Sequence, residues 1–270
     1  MEYCAVEKIK INFDILLPAF NAENTIHKTL ESISHQTIAP VKVIIIINGC
    51  SDKTETIVNN FIKNSILKIH KIVLKKNIGL VGALNRGLEH CSSKWIARID
   101  ADDYWLDKHL SNLSEGIYLN KSDLGLIGGS SIIKQNDKFI TTTQPLNHYQ
   151  IIKFLQRDNP FVHSAVAFRL EAITNVGGYR EAFIFEDYDL WIRILKKYKG
   201  IIVNSDMCVH IRSNSSMTSK YSLSSALAER LKLQKMALSA FGIRSPISLL
   251  SIGLTASRLF YNQCILFFRR

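Results

Sequence analysis

The sequence predicts an α/β protein, a mostly parallel sheet with helices on both faces, and three observations carry that expectation. Apolar stretches stand at 13–18, 43–47 and 95–99, the second β-branched throughout, and a further strand is read at 69–74, the pattern of a parallel sheet covered on both faces. Between them, apolar residues fall at helical spacing, as in Ile26, Leu30 and Ile33. Regular alternation of the two calls for crossover helices, which parallel strands need and antiparallel ones do not.

In chain order, the first strand stops at Pro18, which lacks a backbone donor, and a helix follows with Asn21 as its candidate cap. The second strand, 43–47, runs into the turn Asn48-Gly49-Cys50-Ser51. A second helix opens at Asp52, where Asp52 and Glu55 have capping-box spacing and Ile57, Val58, Phe61 and Ile62 form a buried stripe. A third strand at 69–74, a helix at 79–89 and a fourth strand at 95–99 complete the regular half. Beyond Asp107 the sequence predicts a helix to about 119, a strand at 126–133, turn-rich sequence to Pro145, a helix at 149–156, a strand at 164–168, and a helix at 186–198. This divides the chain into a first half at 1–125, a second half at 126–221 and a helical tail at 222–270.

Composition narrows the function. The chain has 270 residues, 47% of them hydrophobic and 21% charged, which suits one compact catalytic unit. Lys and Arg outnumber Asp and Glu by 34 to 23, so an anionic partner is expected: a phosphorylated ligand or an acidic membrane surface. Zinc-finger spacing, RNA-binding aromatics and dense basic blocks are all missing, and nucleic acid is not expected. Cys4, Cys50, Cys91, Cys208 and Cys264 are scattered, as in a reducing compartment. Residues 1–8 lack the basic start and apolar core of a signal peptide, so a cytoplasmic site is expected.

Two acidic clusters stand out. Asp100-Ala101-Asp102-Asp103 follows the fourth strand, at the carboxyl edge where open parallel sheets bind ligands. Three acids in four residues suit a hard divalent cation, although a solvated turn would read the same way. Glu186-Asp187-Tyr188-Asp189-Leu190-Trp191 opens a helix, where acids also favour the helix dipole. The aromatic residues Phe183, Phe185, Tyr188 and Trp191 around it suit a sugar face, and a carboxylate there suits a general base.

In order along the chain stand Pro18-Ala19-Phe20-Asn21-Ala22, Asn48-Gly49-Cys50-Ser51-Asp52-Lys53-Thr54, Asn77-Ile78-Gly79, Ala83-Leu84-Asn85-Arg86-Gly87, Asp100-Ala101-Asp102-Asp103 and Glu186-Asp187. This succession resembles the family 2 glycosyltransferases. Asn159-Pro160 with His163, Gly177-Gly178-Tyr179, Leu190-Trp191 and Arg212 are similar to members that build bacterial surface polysaccharide, including lipopolysaccharide O-antigen.

The resemblance implies a GT-A fold, a Rossmann-like mostly parallel sheet flanked by helices, whose first half holds a nucleotide-sugar and whose second receives the acceptor. It implies that Asp100 and Asp102 bind Mg²⁺ or Mn²⁺, that Asp187, with Glu186 beside it, is the catalytic base, and that transfer inverts the anomeric centre. Pro18, Ala19, Asn21, Asn48, Asn77, Asn85, Asp100 and Ala101 would line the nucleotide-sugar, His163 and Trp191 the acceptor, and Arg212 the diphosphate. Ile47-Asn48 departs from the family's two acids before the turn glycine, and Asn48 can both donate and accept toward a base. The expected donor is a UDP-sugar and the expected acceptor a glycan or polyprenyl-diphosphate-linked glycan.

Two rival classes are weighed against this. A nucleotide-dependent oxidoreductase would need a glycine fingerprint after the first strand, where Pro18-Ala19-Phe20-Asn21 stands instead. A non-catalytic binding module on a degenerate transferase fold would bind membrane or sugar without turnover. The tail is apolar from 245 to 268 and has Arg258 near its middle, which disfavours a span and favours a helix in the membrane interface. Packing on the protein or on a second subunit is the alternative. The expected location is the inner face of the cytoplasmic membrane, as a peripheral protein.

Overall fold

The computed structural model describes residues 11–120, 123–135, 138–142, 146–211, 221–242 and 245–268. The first half is the expected alternation: β1 (Phe13–Ala19), α1 (Ile26–Ser34), β2 (Lys42–Asn48), α2 (Thr54–Asn64), β3 (Ile69–Leu74), α3 (Gly79–Leu88) and β4 (Trp95–Arg98). β2 lies between β3 and β1, and β1 between β2 and β4, all in parallel. Side chains alternate faces along a strand. Ile15, Leu17, Val43 and Ile45 therefore pack with Ile26, Leu30 and Ile33 on one face, and Leu16, Ile44 and Ile46 pack with Ala83 and Leu84 on the other. Each fully buried aliphatic side chain contributes about 1.5–3 kcal/mol, which makes this two-faced core the rigid platform for the site.

The second half comprises β5 (Tyr104–Trp105), α4 (His109–Leu119), β6 (Leu124–Gln135), β7 (Lys138–Thr142), α5 (His148–Leu155), a 3-10 turn (His163–Ala165), β8 (Val166–Arg169), α6 (Leu170–Thr174), α7 (Glu186–Leu195), β9 (Lys199–Ile211), α8 (Leu223–Phe241) and α9 (Pro246–Phe268). Among the described residues the sheet runs β3-β2-β1-β4-β8-β6-β9-β5, with β7 paired to β6. β8 is antiparallel to both β4 and β6, so the two halves share one sheet. The expected division after residue 125 falls inside β6.

Some local expectations give way. Asn21 is not a helix cap: it sits at φ 47°, and α1 starts at Ile26 after Thr25. Asp52 and Glu55 form no capping box. Asp52 accepts from the Thr54 N–H at 3.0 Å, whereas Glu55 pairs with Lys71. β5, β7, β9 and α6 were not expected: β5 and α6 are short, β7 lies in polar sequence, and β9 carries polar residues amid its apolar ones.

Candidate active site

The carboxyl ends of β1, β2 and β4 open on the same side because these strands are parallel, and the loops that leave them form the site. The loops after β1 and β2 clasp each other. The Glu23 N–H donates to Asp52 Oδ2 and the Lys53 N–H to Glu23 Oε2, both at 3.0 Å. The Ser51 N–H donates to Asn21 Oδ1 at 2.9 Å, and Cys50 Sγ donates to the Ala19 carbonyl. Gly49 lies below the loop after β3, at φ +66°, and a Cβ there would come within 2.2 Å of the Asn77 nitrogen. Only glycine fits.

The asparagines expected at the nucleotide are also the ties of this edge. Asn48 is buried; its Nδ2 donates to Asn77 Oδ1 and the Gly79 carbonyl, and its Oδ1 accepts from the Ile78 N–H. Its amide is thus engaged in holding the loop after β3. Asn85, on α3, clamps the second half: Nδ2 donates to the Tyr179 carbonyl at 2.9 Å and Oδ1 accepts from the Tyr179 N–H at 3.0 Å. Pro18 and Ala19 end β1 beside Ile46 and Ile47 of β2.

The acidic cluster follows β4. Carboxylate oxygens of Asp100, Asp102 and Asp103 lie within 4.8 Å of one another. Asp100 is gripped by the guanidinium of the fully buried Arg98 and by the Ser164 hydroxyl at 3.2 Å. Asp103 is buried against His210, whose Nδ1 lies 3.0 Å from Oδ2; that hydrogen bond raises the imidazole above its usual range. The Asp102 carboxyl is exposed, yet the protein packed around it, then the charges of Asp100 and Asp103, raise it. Ala101 is nearly buried, and its carbonyl accepts from Thr29 Oγ1. The donor set is hard oxygen, concentrated and short of positive charge, and it fits Mg²⁺ or Mn²⁺.

The second acid pair opens α7. Asn159 Nδ2 donates to Asp187 Oδ2 at 2.8 Å and the Tyr188 N–H to Asp187 Oδ1 at 2.7 Å, which fixes that carboxylate. Glu186 lies 3.7 Å from His163 Nδ1. Burial, then the neighbouring Asp187, raises Glu186, and burial raises Asp187. Arg98 opposes both shifts, so the two acidic centres share one field. His163 bonds the Tyr179 hydroxyl at 2.8 Å; burial and the charge of Arg98 keep its imidazole neutral at pH 7.

The 3-10 turn joins the two centres. Ser164 Oγ accepts from the Asp100 N–H at 3.0 Å, while His163, the preceding residue, faces Glu186 and Tyr179. Trp191 is corrected: it is fully buried, against Phe161, Phe168 and the edge of His163, and supports the site from beneath without facing an acceptor. Arg212 lies outside the described residues. Sequence reasoning passed over Arg98 and Ser164, gave His210 no part in the site, and read Tyr179 only within the Gly177-Gly178-Tyr179 motif. A lone arginine closing an apolar strand two residues before an acidic motif was the available signal for Arg98.

The profile of the family described as "Glycosyl transferase family 2" matches residues 14–176. The amylovoran biosynthesis glycosyltransferase AmsE of Erwinia amylovora is 28% identical over 82% of this chain and 85% of its own length. An Escherichia coli UDP-Gal:alpha-D-GlcNAc-diphosphoundecaprenol beta-1,3-galactosyltransferase is 32% identical over 68% of this chain and 67% of its own. Among solved structures, S. aureus TarS 1-349 in complex with UDP-GlcNAc superposes with a TM-score of 0.70 at 16% identity, over 93% of this chain and 73% of that one. The Pyrobaculum calidifontis mannosyltransferase PcManGT, solved with GDP-Man and Mn2+, gives 0.62 at 16% identity, over 93% and 81%. These structures share the GT-A architecture. With the profile covering more than half of the sequence, and with its motifs gathered along the carboxyl edge of one sheet, the chain belongs to glycosyl transferase family 2.

Proposed function

We propose that this glycosyltransferase moves a hexosyl or N-acetylhexosaminyl group from a UDP-sugar to a hydroxyl of a polyprenyl-diphosphate-linked glycan during bacterial surface polysaccharide synthesis. The observation that carries the reading is the link, through adjacent residues Ser164 and His163, between the Asp100–Asp103 cluster and the Glu186–Asp187 pair. The relatives support the substrate class, since the E. coli enzyme named above acts on a diphosphoundecaprenol-linked acceptor.

Asp187 is the base. Its carboxylate is oriented by Asn159 and the Tyr188 N–H, and its raised affinity for a proton suits it to accept one from the acceptor hydroxyl. The hydroxyl oxygen then attacks the anomeric carbon opposite the departing nucleoside diphosphate, which inverts the centre. Glu186 lies beside it as a second, more reluctant acid, 3.7 Å from His163 Nδ1. Asp100 and Asp102 would hold Mg²⁺ or Mn²⁺, with Asp103 at hand, and Arg98 and His210 fix the outer two carboxylates. A bound cation supplies charge neutralisation for the departing diphosphate. The asparagine ties at 48 and 77 keep the nucleotide edge preorganised, with Pro18, Ala19, Asn21 and Ala101 along it, and Asn85 joins that edge to the acceptor half through Tyr179. Arg212 is assigned to the diphosphate, and the protein to the inner face of the cytoplasmic membrane.

The test is a donor screen. Purified protein with Mn²⁺ or Mg²⁺ is offered a panel of nucleotide-sugars, and release of nucleoside diphosphate is followed with and without a polyprenyl-diphosphate-linked sugar. Release from one donor, stimulated by the acceptor, is the expected result. Donor or sugar binding without turnover on any of them would make the chain a binding module.

A further inference from the structure

α9 is apolar on two sides. Toward the protein, Ser248 and Thr255 are buried and Ile252 and Leu259 half-buried, Gln234 Nε2 donates to Ser251 Oγ at 3.3 Å, and Asn262 Nδ2 donates to Ser224 Oγ at 2.6 Å. The outward side carries Ile247, Leu249, Leu250, Leu254, Phe260 and Tyr261, each more than half exposed. A helix that packs on a core in water carries polar residues on its outward side. Scattered exposed apolar residues are ordinary, but several gathered on one helix mark a surface that another phase or partner covers.

Charge indicates what covers it. Residues 222–270 hold seven Lys and Arg against a single acid, Glu229, which is +6 of the chain's +11. Arg258 on α9 and Lys235 on α8 are exposed. A second copy of the same hairpin would set this positive charge against itself, whereas an anionic bilayer supplies both an apolar phase and the opposite charge. Among the described residues no helix is long and apolar enough to cross a membrane, so the helix would lie along one.

We infer that α9 is a docking helix for an anionic lipid surface, its outward apolar side seated at the headgroup boundary and Arg258 and Lys235 set against the headgroups. This deepens the proposed reading, in which the acceptor is lipid-linked, by naming the surface that meets the membrane.

The experiment uses the full chain and vesicles of phosphatidylcholine with one quarter phosphatidylglycerol, read by co-sedimentation at low salt. Binding is expected, and it should weaken at least tenfold on pure phosphatidylcholine. Leu250→Gln with Leu254→Gln should cut partitioning at least tenfold, with melting temperature and nucleoside diphosphate release unchanged. Lys235→Gln with Arg258→Gln, which leaves the apolar side intact, should cut it about tenfold. Wild-type protein that ignores the anionic vesicles overturns the inference. So does a wild-type dimer that the leucine pair of substitutions converts to a monomer, and so does either variant binding as tightly as wild type. Vesicle binding by a chain that turns over no donor removes the transferase reading and leaves the docking surface standing.

Discussion

Replacing Arg98 by Met removes the cation beneath the Asp100–Asp103 cluster while keeping an apolar stem of similar length. The guanidinium is fully buried and Asp100 is 30% exposed by side chain. Removing one partner of a buried ion pair costs about 3–5 kcal/mol; the partial exposure of Asp100 lets water recover some of that, so we take the lower end, about 3 kcal/mol. At about 2–4 °C per kcal/mol for a domain near this size, the melting temperature should fall by about 6–12 °C. Asp100→Asn alone strands a buried guanidinium and should cost a comparable amount. The double variant Arg98→Met/Asp100→Asn strands neither charge, and its loss should be smaller than the sum of the singles by at least about 2 kcal/mol. Urea unfolding of the four proteins measures this cycle, and a transfer assay alongside should find activity still missing in the double variant although stability has returned. Single losses that simply add would show that Arg98 and Asp100 act independently, and the account of them as a coupled buried pair would fail.

Asp102→Ala should lower transfer by about 10²-fold or more, and chelation of the divalent cation should do the same to wild type; full activity of the variant in excess chelator would refute the metal assignment. Glu186 is raised in the folded state, so the native protein binds that proton more tightly than the unfolded chain and loses stability as pH rises from about 4.3 through the raised value. Glu186→Gln should therefore be more stable than wild type at pH 8.5, by at least about 1 kcal/mol, and no more stable at pH 4, read by urea unfolding at both pH values. For Asp187, also raised, the rate should climb as pH rises past the usual carboxylate range, and Asp187→Asn should abolish transfer while donor binding, followed by calorimetry, persists. Asn85→Ala removes both hydrogen bonds to Tyr179 and should cost about 2 kcal/mol and raise KM for the acceptor more than for the donor, as seen in steady-state kinetics.

The first half was legible because β1, β2 and β4 are buried on both faces. A run such as Val43-Ile44-Ile45-Ile46-Ile47 has few other folded uses, and the helices between carry their stripes at the right period. The second half hid its strands for physical reasons. β9 pairs in parallel with β6 through register shifts, and β5 is two residues long, so neither leaves a periodic signal. In the site, Asp100, Asp102, Glu186 and Asp187 were legible because like charges crowded together need an explanation from chemistry. Trp191 was misplaced because an aromatic residue beside a carboxylate reads the same whether it faces ligand or core. Ser164 left no trace, since its importance lies in contacts to residues distant in sequence.

The step from Ser164 to His163 also sets a rule for anyone recombining these enzymes. Because consecutive residues touch the Asp100–Asp103 cluster and face the Glu186–Asp187 pair, the two cannot be exchanged as separate modules. A chimera that imports a new acceptor preference should take 159–164 together with 177–191, since Asn159 reaches Asp187 and His163 reaches both Tyr179 and Glu186. It should keep Asn85 and Arg98 from the same parent. Crossovers placed between these segments would inherit each catalytic part intact and the distance between them from neither parent.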